Sequence, residues 1–184
     1  MESAYSFSKI YKFLGVAFLF FSCSSDLDFD QVDELKLKPV FVANLAYFNL
    51  SASQFVNPGN ELTISDVKGF DAFRKEFFTE HLVKTELDFE IENTIVRSFT
   101  VDVSLLDDND QVLQTITFVI PAYTGSSNVI KFPTEVFENQ RLELLKQTVK
   151  VGFLIKMEAG PPIDANSSGN LRLRSSATVY MEIE

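Results

Sequence analysis

Alternation with a period of two runs through most of this chain, and no other feature restricts its fold so tightly. Leu87, Phe89 and Ile91 interleave with Asp88, Glu90 and Glu92. Phe99, Val101, Val103 and Leu105 interleave with Thr100, Asp102 and Ser104, and Ile116, Phe118 and Ile120 with Thr115, Thr117 and Val119, up to Pro121. Further on, Val149, Val151, Phe153, Ile155 and Met157 oppose Lys150, Gly152, Lys156 and Glu158. A last segment, Leu171 to Ile183, carries Leu173, Ala177, Val179, Met181 and Ile183 on one side. After Pro39, the same rule puts Phe41, Ala43, Leu45 and Tyr47 together. Successive side chains of a strand point to opposite faces, so each segment predicts a strand with one buried face. Asp107-Asp108-Asn109-Asp110 predicts a hairpin turn, because Asn and Asp tolerate the backbone angles of a tight reversal.

Two stretches leave that rhythm. Phe70, Phe73, Phe77, Phe78 and Leu82 follow helical spacing, with Asp71 near the start and Lys84 near the end, as the helix dipole favours. A second short helix is expected within 134–146, with Thr134 as its cap and Val136, Phe137, Leu142, Leu144 and Leu145 packing. Both are expected to cover the ends of two antiparallel sheets stacked face to face. The acidic row Asp88, Glu90 and Glu92 calls for a basic neighbour, either Lys150 and Lys156 or Arg172 and Arg174. Ile91-Glu92-Asn93-Thr94, followed by an alternating strand, a polar turn and a third strand ending in Pro121, resembles the immunoglobulin-like domain of late-embryogenesis-abundant proteins. The proline that usually follows that asparagine is missing. The expected fold class is mainly β: an immunoglobulin-like antiparallel β-sandwich with one or two short helices.

The start of the chain reads differently. Lys9 and Lys12 precede the apolar run Phe13–Phe21, then come Ser22, the lone Cys23, and at once the polar Ser24, Ser25 and Asp26. The run is well short of the roughly 20 residues a membrane-spanning helix needs, but it suits the central region of an export signal. Leu19-Phe20-Phe21-Ser22-Cys23 resembles a bacterial lipoprotein signal, although Phe20 and Phe21 stand where a leucine and a small residue are common. The resemblance implies diacylglycerol thioether-linked to Cys23, cleavage before it, and an acylated amine, palmitate being one such acyl chain. A core helix with a buried cysteine and an ordinary secretory signal are the alternatives. A lone cysteine excludes an internal disulfide framework, and lipidation would remove a spare thiol from an exported protein. Buried methylenes contribute about 0.8 kcal/mol each, so two or three acyl chains anchor permanently on a cellular timescale.

The expected organisation is a signal peptide over 1–22, a lipidated cysteine with an acidic tether over 23–38, and a sandwich over 39–184. The tether carries Asp26, Asp28, Asp30, Asp33 and Glu34 before its first lysine, Lys36. It reads either as a solvated spacer or as resembling the surface-export signals of some Gram-negative lipoproteins. The alternating aspartates lack the glycine and distant glutamate of a helix–loop–helix calcium site. The location expected is the bacterial outer membrane, on its periplasmic or surface-exposed face.

Composition narrows the partners. A net charge of −10 makes nucleic acid a poor partner, since Lys and Arg must neutralise phosphates. With 19 phenylalanines and 46% apolar residues, a single domain can bury a full core. The one histidine, His81, has no Gly-x-Ser-x-Gly nucleophile turn to serve, and one His with a lipidated Cys makes no zinc site. No phosphate-cradling or dinucleotide motif occurs, and there is no tryptophan for a sugar platform. No cofactor, metal site or catalytic residue is expected. The loop from Ala159 to Asn170 is the candidate mobile functional edge or, alternatively, a long hairpin connection; its Asn166-Ser167-Ser168 matches a glycosylation acceptor. The expectation is a non-enzymatic, membrane-anchored envelope lipoprotein with a binding or structural role, its partner a protein or glycan. A lipid-anchored carboxylate hydrolase and an accessory subunit of an envelope complex are the alternatives.

Overall fold

The computed structural model describes residues 36–56, 61–65 (backbone only), 73–126 and 129–183. Its strands are β1 (Val40–Ser51), β2 (Glu61–Ser65), β3 (Leu82–Asn93), β4 (Phe99–Leu106), β5 (Val112–Ile120), β6 (Val129–Lys131), β7 (Glu135–Phe137), β8 (Lys150–Met157) and β9 (Asn170–Met181). The helices are α1 (Glu76–His81) and α2 (Gln140–Gln147), and a 3₁₀ turn, Ala52–Phe55, follows β1. All pairings are antiparallel. One sheet runs β1-β9-β3, with β6 and β7 sharing the far edge of β3; the other runs β2-β8-β4-β5.

The alternating residues do what their periodicity predicts. Leu87, Phe89 and Ile91 of β3 and Leu171, Leu173, Ala177 and Val179 of β9 are buried. They meet Val101 and Val103 of β4, Phe118 of β5 and Phe153 and Ile155 of β8 in one core. Aromatic pairs span the layers: Phe48 of β1 lies edge-on to Phe153 of β8 at 5.5 Å, and Phe89 of β3 meets Phe118 of β5 at 5.0 Å. Such tilted and edge-to-face contacts add to the area they bury. The fold is thus the expected mainly β antiparallel sandwich with two short helices. Among the described residues, no helix is long and apolar enough to cross a membrane.

Three local expectations change. In β1 the register shifts between Asn44 and Tyr47, so that Leu45 and Ala46 together oppose Ser175. This bulge inverts the parity: Ala46, Phe48 and Leu50 are buried, while Tyr47 is 61% exposed. The buried Ser175 hydroxyl holds it by accepting from the Ala46 amide and donating to the Ala46 carbonyl, both at 2.9 Å. The first helix is shorter than its phenylalanine spacing suggests. Phe70 and Asp71 lie outside the described residues, Phe73 is buried ahead of α1, and Leu82 already pairs with Met181 in β3. Pairing with β9 offers Leu82 and Lys84 a sheet register that outweighs helical periodicity, which is a weak local preference. In 134–146, Glu135–Phe137 pairs with β3 as a strand, and the helix starts only at Gln140. Asn139 precedes it with φ of 53°, and Thr134 instead donates to Asp88.

At one end of the sandwich, connections that cross between the two sheets are laced together. Asn93, fully buried at the end of β3, donates to the Arg97 and Pro121 carbonyls, each at 2.8 Å, and accepts from the Ile95 amide at 2.9 Å. Thr94 exchanges hydrogen bonds with Asn170 at the start of β9. The opposite hairpin, Asp107–Gln111, turns as expected: the Asp107 carboxylate accepts from the Asn109 and Gln111 amides at 2.8 Å, and Asp110 takes φ of 60°. Ahead of β1, Leu37 bridges to Ile183, and Lys36 and Lys38 lie 3.4 and 3.3 Å from Glu182.

Candidate functional site

The outer face of the first sheet carries the most varied chemistry of the described residues. Register sets it out in rows. Lys84, Glu86, Asp88, Glu90 and Glu92 of β3 stand opposite Tyr180, Thr178, Ser176, Arg174 and Arg172 of β9. Those in turn stand opposite Val40, Val42, Asn44, Tyr47 and Asn49 of β1. The acidic row therefore takes the arginines of β9 as neighbours. Arg172 donates to Glu92 at 3.0 Å, and Glu90 sits between Arg174 at 3.5 Å and Lys131 at 3.8 Å. Lys150 and Lys156 serve the other sheet instead, contacting Asp110 at 2.7 Å and Asp102 at 3.7 Å.

Over the middle of these rows lies a groove of about 600 Å³, lined among others by Asn44, Asp88, Glu90, Lys131, Thr134 and Arg174. A smaller recess of about 380 Å³ continues it past the bulge beside Tyr47. The segment after β6 builds the far wall, where Phe132 packs on Phe118 at 4.4 Å and Thr134 donates to Asp88 at 2.6 Å. The groove thus presents an amide, hydroxyls, two cations and two carboxylates from a rigid sheet, with Tyr47 at its rim. Such a surface suits hydrogen-bonded recognition of a polar partner. Sequence alternation had already placed Asp88, Glu90 and Arg174 outward; Asn44, Lys131 and Ser176 carried no signal of their own, because only register gathers them.

Next to the groove, Lys84, Glu86 and Tyr180 form a closed set. The Lys84 ammonium donates to Glu86 at 2.7 Å and lies 4.1 Å over the Tyr180 ring, whose hydroxyl donates to Glu86 at 2.8 Å. The hydrogen bonds from Lys84 and Tyr180 hold the Glu86 carboxyl below its ordinary range. Hydrogen bonding to Glu86 likewise pushes Lys84 and Tyr180 up.

The loop after β8 is tied down rather than loose. Arg97, 7% exposed, donates from Nε at 2.9 Å and from Nη2 to the Glu158 carbonyl, and from Nη1 at 2.7 Å to that of Pro161. Gly160 packs so closely on it that a Cβ would stand 2.9 Å from Arg97 Cδ. Gly169 has φ of +110°, and a Cβ there would lie 2.3 Å from the Thr94 carbonyl oxygen. Inside the loop the Asp164 carboxylate accepts from the Asn166 amide and the Ser167 hydroxyl.

His81 ends α1, with its ring edge-on to Phe77 at 5.2 Å and its Nε2 4.0 Å from Glu80. Cys23 and the tether aspartates lie outside the described residues. Among the described residues, no group of three or more His, Cys, Asp or Glu side chains could hold a metal ion.

No protein-family model and no curated protein matches this chain. Solved structures similar to it include the infectious bursal disease virus VP2 subviral particle, at 12% identity and a TM-score of 0.42 over 78% of this chain and 36% of that one. Another is the Desmodium yellow mottle tymovirus, at 12% identity and a TM-score of 0.34, covering 80% and 90%. A third comes from Bacillus endospore appendages, a family of disulfide-linked pili, at 7% identity and a TM-score of 0.34, covering 78% and 89%. The chain spans about a third of the length of the VP2 protein. At such identities the likeness is one of fold alone.

Proposed function

We propose that this protein is a non-enzymatic lipoprotein of the bacterial cell envelope, held at the outer membrane through Cys23, with a binding role on the outer face of its first sheet. One observation carries the reading: an apolar run too short to span a bilayer ends at Ser22-Cys23 and gives way at once to polar residues. The partner is a protein or glycan met through hydrogen bonds, and the groove around Asn44, Asp88 and Arg174 is the surface that suits it. A carboxylate hydrolase would need an acid held above its ordinary range. Here hydrogen bonds hold Glu86, Asp107 and Glu182 below theirs.

The test is the mass and fractionation of the native protein against Cys23→Ser. The parent should partition with membranes and carry the mass of an acylated chain beginning at Cys23. The variant should be released or remain uncleaved. A parent with a free thiol at Cys23, or a variant that fractionates identically, overturns the proposal.

A further inference from the structure

Strand β1 forms one margin of the first sheet, and among the described residues no strand pairs its outer edge. The Met181 amide donates to the Pro39 carbonyl at 3.1 Å, so alternate residues from Pro39, namely Phe41 and Ala43, turn their backbone groups toward β9. Val40, Val42 and Asn44 turn theirs outward. Side chains there are exposed too: Val40 by 52%, Phe41 by 49% and Val42 by 72%. Proteins ordinarily blunt such an edge with lysine, proline or a bulge. In a chain of net charge −10, β1 holds no charged residue, no proline and no glycine, and its bulge falls beyond the exposed half.

We propose that residues 40–44 are a docking strand for a second copy of this chain, joining two sheets edge to edge in antiparallel fashion with Val42 on the two-fold axis. In that register Val40 stands opposite Asn44 of the copy and Val42 opposite Val42. Phe41 meets Ala43, a large side chain beside a small one. Residues 40, 42 and 44 are the ones whose amides and carbonyls face the copy. From residue 40 to residue 44 the edge carries no charge for a charged partner to read, and this lets two acidic molecules approach. The two acidic β3 rows would be five strand spacings apart, about 24 Å, well past the Debye length of about 8 Å at physiological salt.

The full chain carrying Cys23→Ser, in detergent so that the leader stays dispersed, leaves Val42→Cys as its one thiol. The symmetric pair would bring the two Cα atoms to about 5.5 Å, within disulfide reach. Mild oxidation should yield a disulfide-linked dimer from Val42→Cys and none from Val96→Cys, an exposed position in the connection between β3 and β4. Light scattering should give twice the protein mass for the Cys23→Ser parent and half that for Val42→Lys, with the same circular dichroism. Equal cross-linking at both cysteines, a monomeric parent, a Val42→Lys variant of doubled mass, or a different protein occupying β1 would each overturn the proposal. The lipid is absent throughout, so this result is independent of the anchor.

Discussion

Replacing Asn93 by alanine should be among the most damaging single changes at the end of the sandwich where β3 crosses to β4, although Asn93 touches no candidate binding group. Its side chain is fully buried and satisfies three backbone groups: the Arg97 and Pro121 carbonyls and the Ile95 amide. Those three belong to the β3–β4 crossing and the end of β5, so one amide group ties both to β3. Losing a buried partner costs about 1–3 kcal/mol per group. Taking the low end for each, because some regain other partners, the variant should lose about 3 kcal/mol. For a domain of this size, each kcal/mol moves the melting temperature by roughly 2–4 °C, so the drop should be roughly 6–12 °C. Thermal unfolding followed by circular dichroism measures it. Asn93→Asp sharpens the test. It keeps an acceptor for Ile95 but turns a carboxylate toward two carbonyl oxygens, which raises its pKa in the folded state. Its deficit should therefore be full at neutral pH and shrink as pH falls through that raised value. An Asn93→Ala protein melting within about 2 °C of the parent, or an Asp variant as stable as the parent at neutral pH, would refute the reasoning.

Two further expectations concern the first sheet. Thr85 is fully buried on β3 opposite Val179 and Phe137, and its hydroxyl has no hydrogen-bond partner among the described residues. Thr85→Val keeps the shape and removes that cost, so the urea midpoint should rise by the equivalent of about 1 kcal/mol; a fall would reveal a partner for the hydroxyl. The Glu86 carboxyl is held below its ordinary 4.5, so its contribution is present at neutral pH and lost as pH falls through the lowered value. Lys84 is raised from 10.5, so its share is complete below that value and lost as pH rises through the raised one. Glu86→Gln should accordingly be less stable than the parent at neutral pH, with the gap closing in acid; urea midpoints that stay a fixed distance apart down to strongly acidic pH would contradict this.

Where periodicity is local, the chain can be read without its structure. The interleaved rows of β3, β4, β5, β8 and β9 follow from which side chains leave water, and the 107–110 turn follows from residues that tolerate its backbone angles. Both depend on neighbours a few positions away. Partners far along the chain decided the rest. The parity of β1 inverts because Ser175, 129 residues from Ala46, supplies one hydroxyl to a bulge. The phenylalanine helix stops at His81 because β9 offers Leu82 a pairing, and Glu92 and Glu90 meet Arg172 and Arg174 rather than Lys150 and Lys156 because β9, not β8, lies beside β3. The groove shares that origin: Asn44, Asp88, Lys131 and Arg174 come from four strands, and only inter-strand hydrogen bonding sets which of their side chains stand side by side.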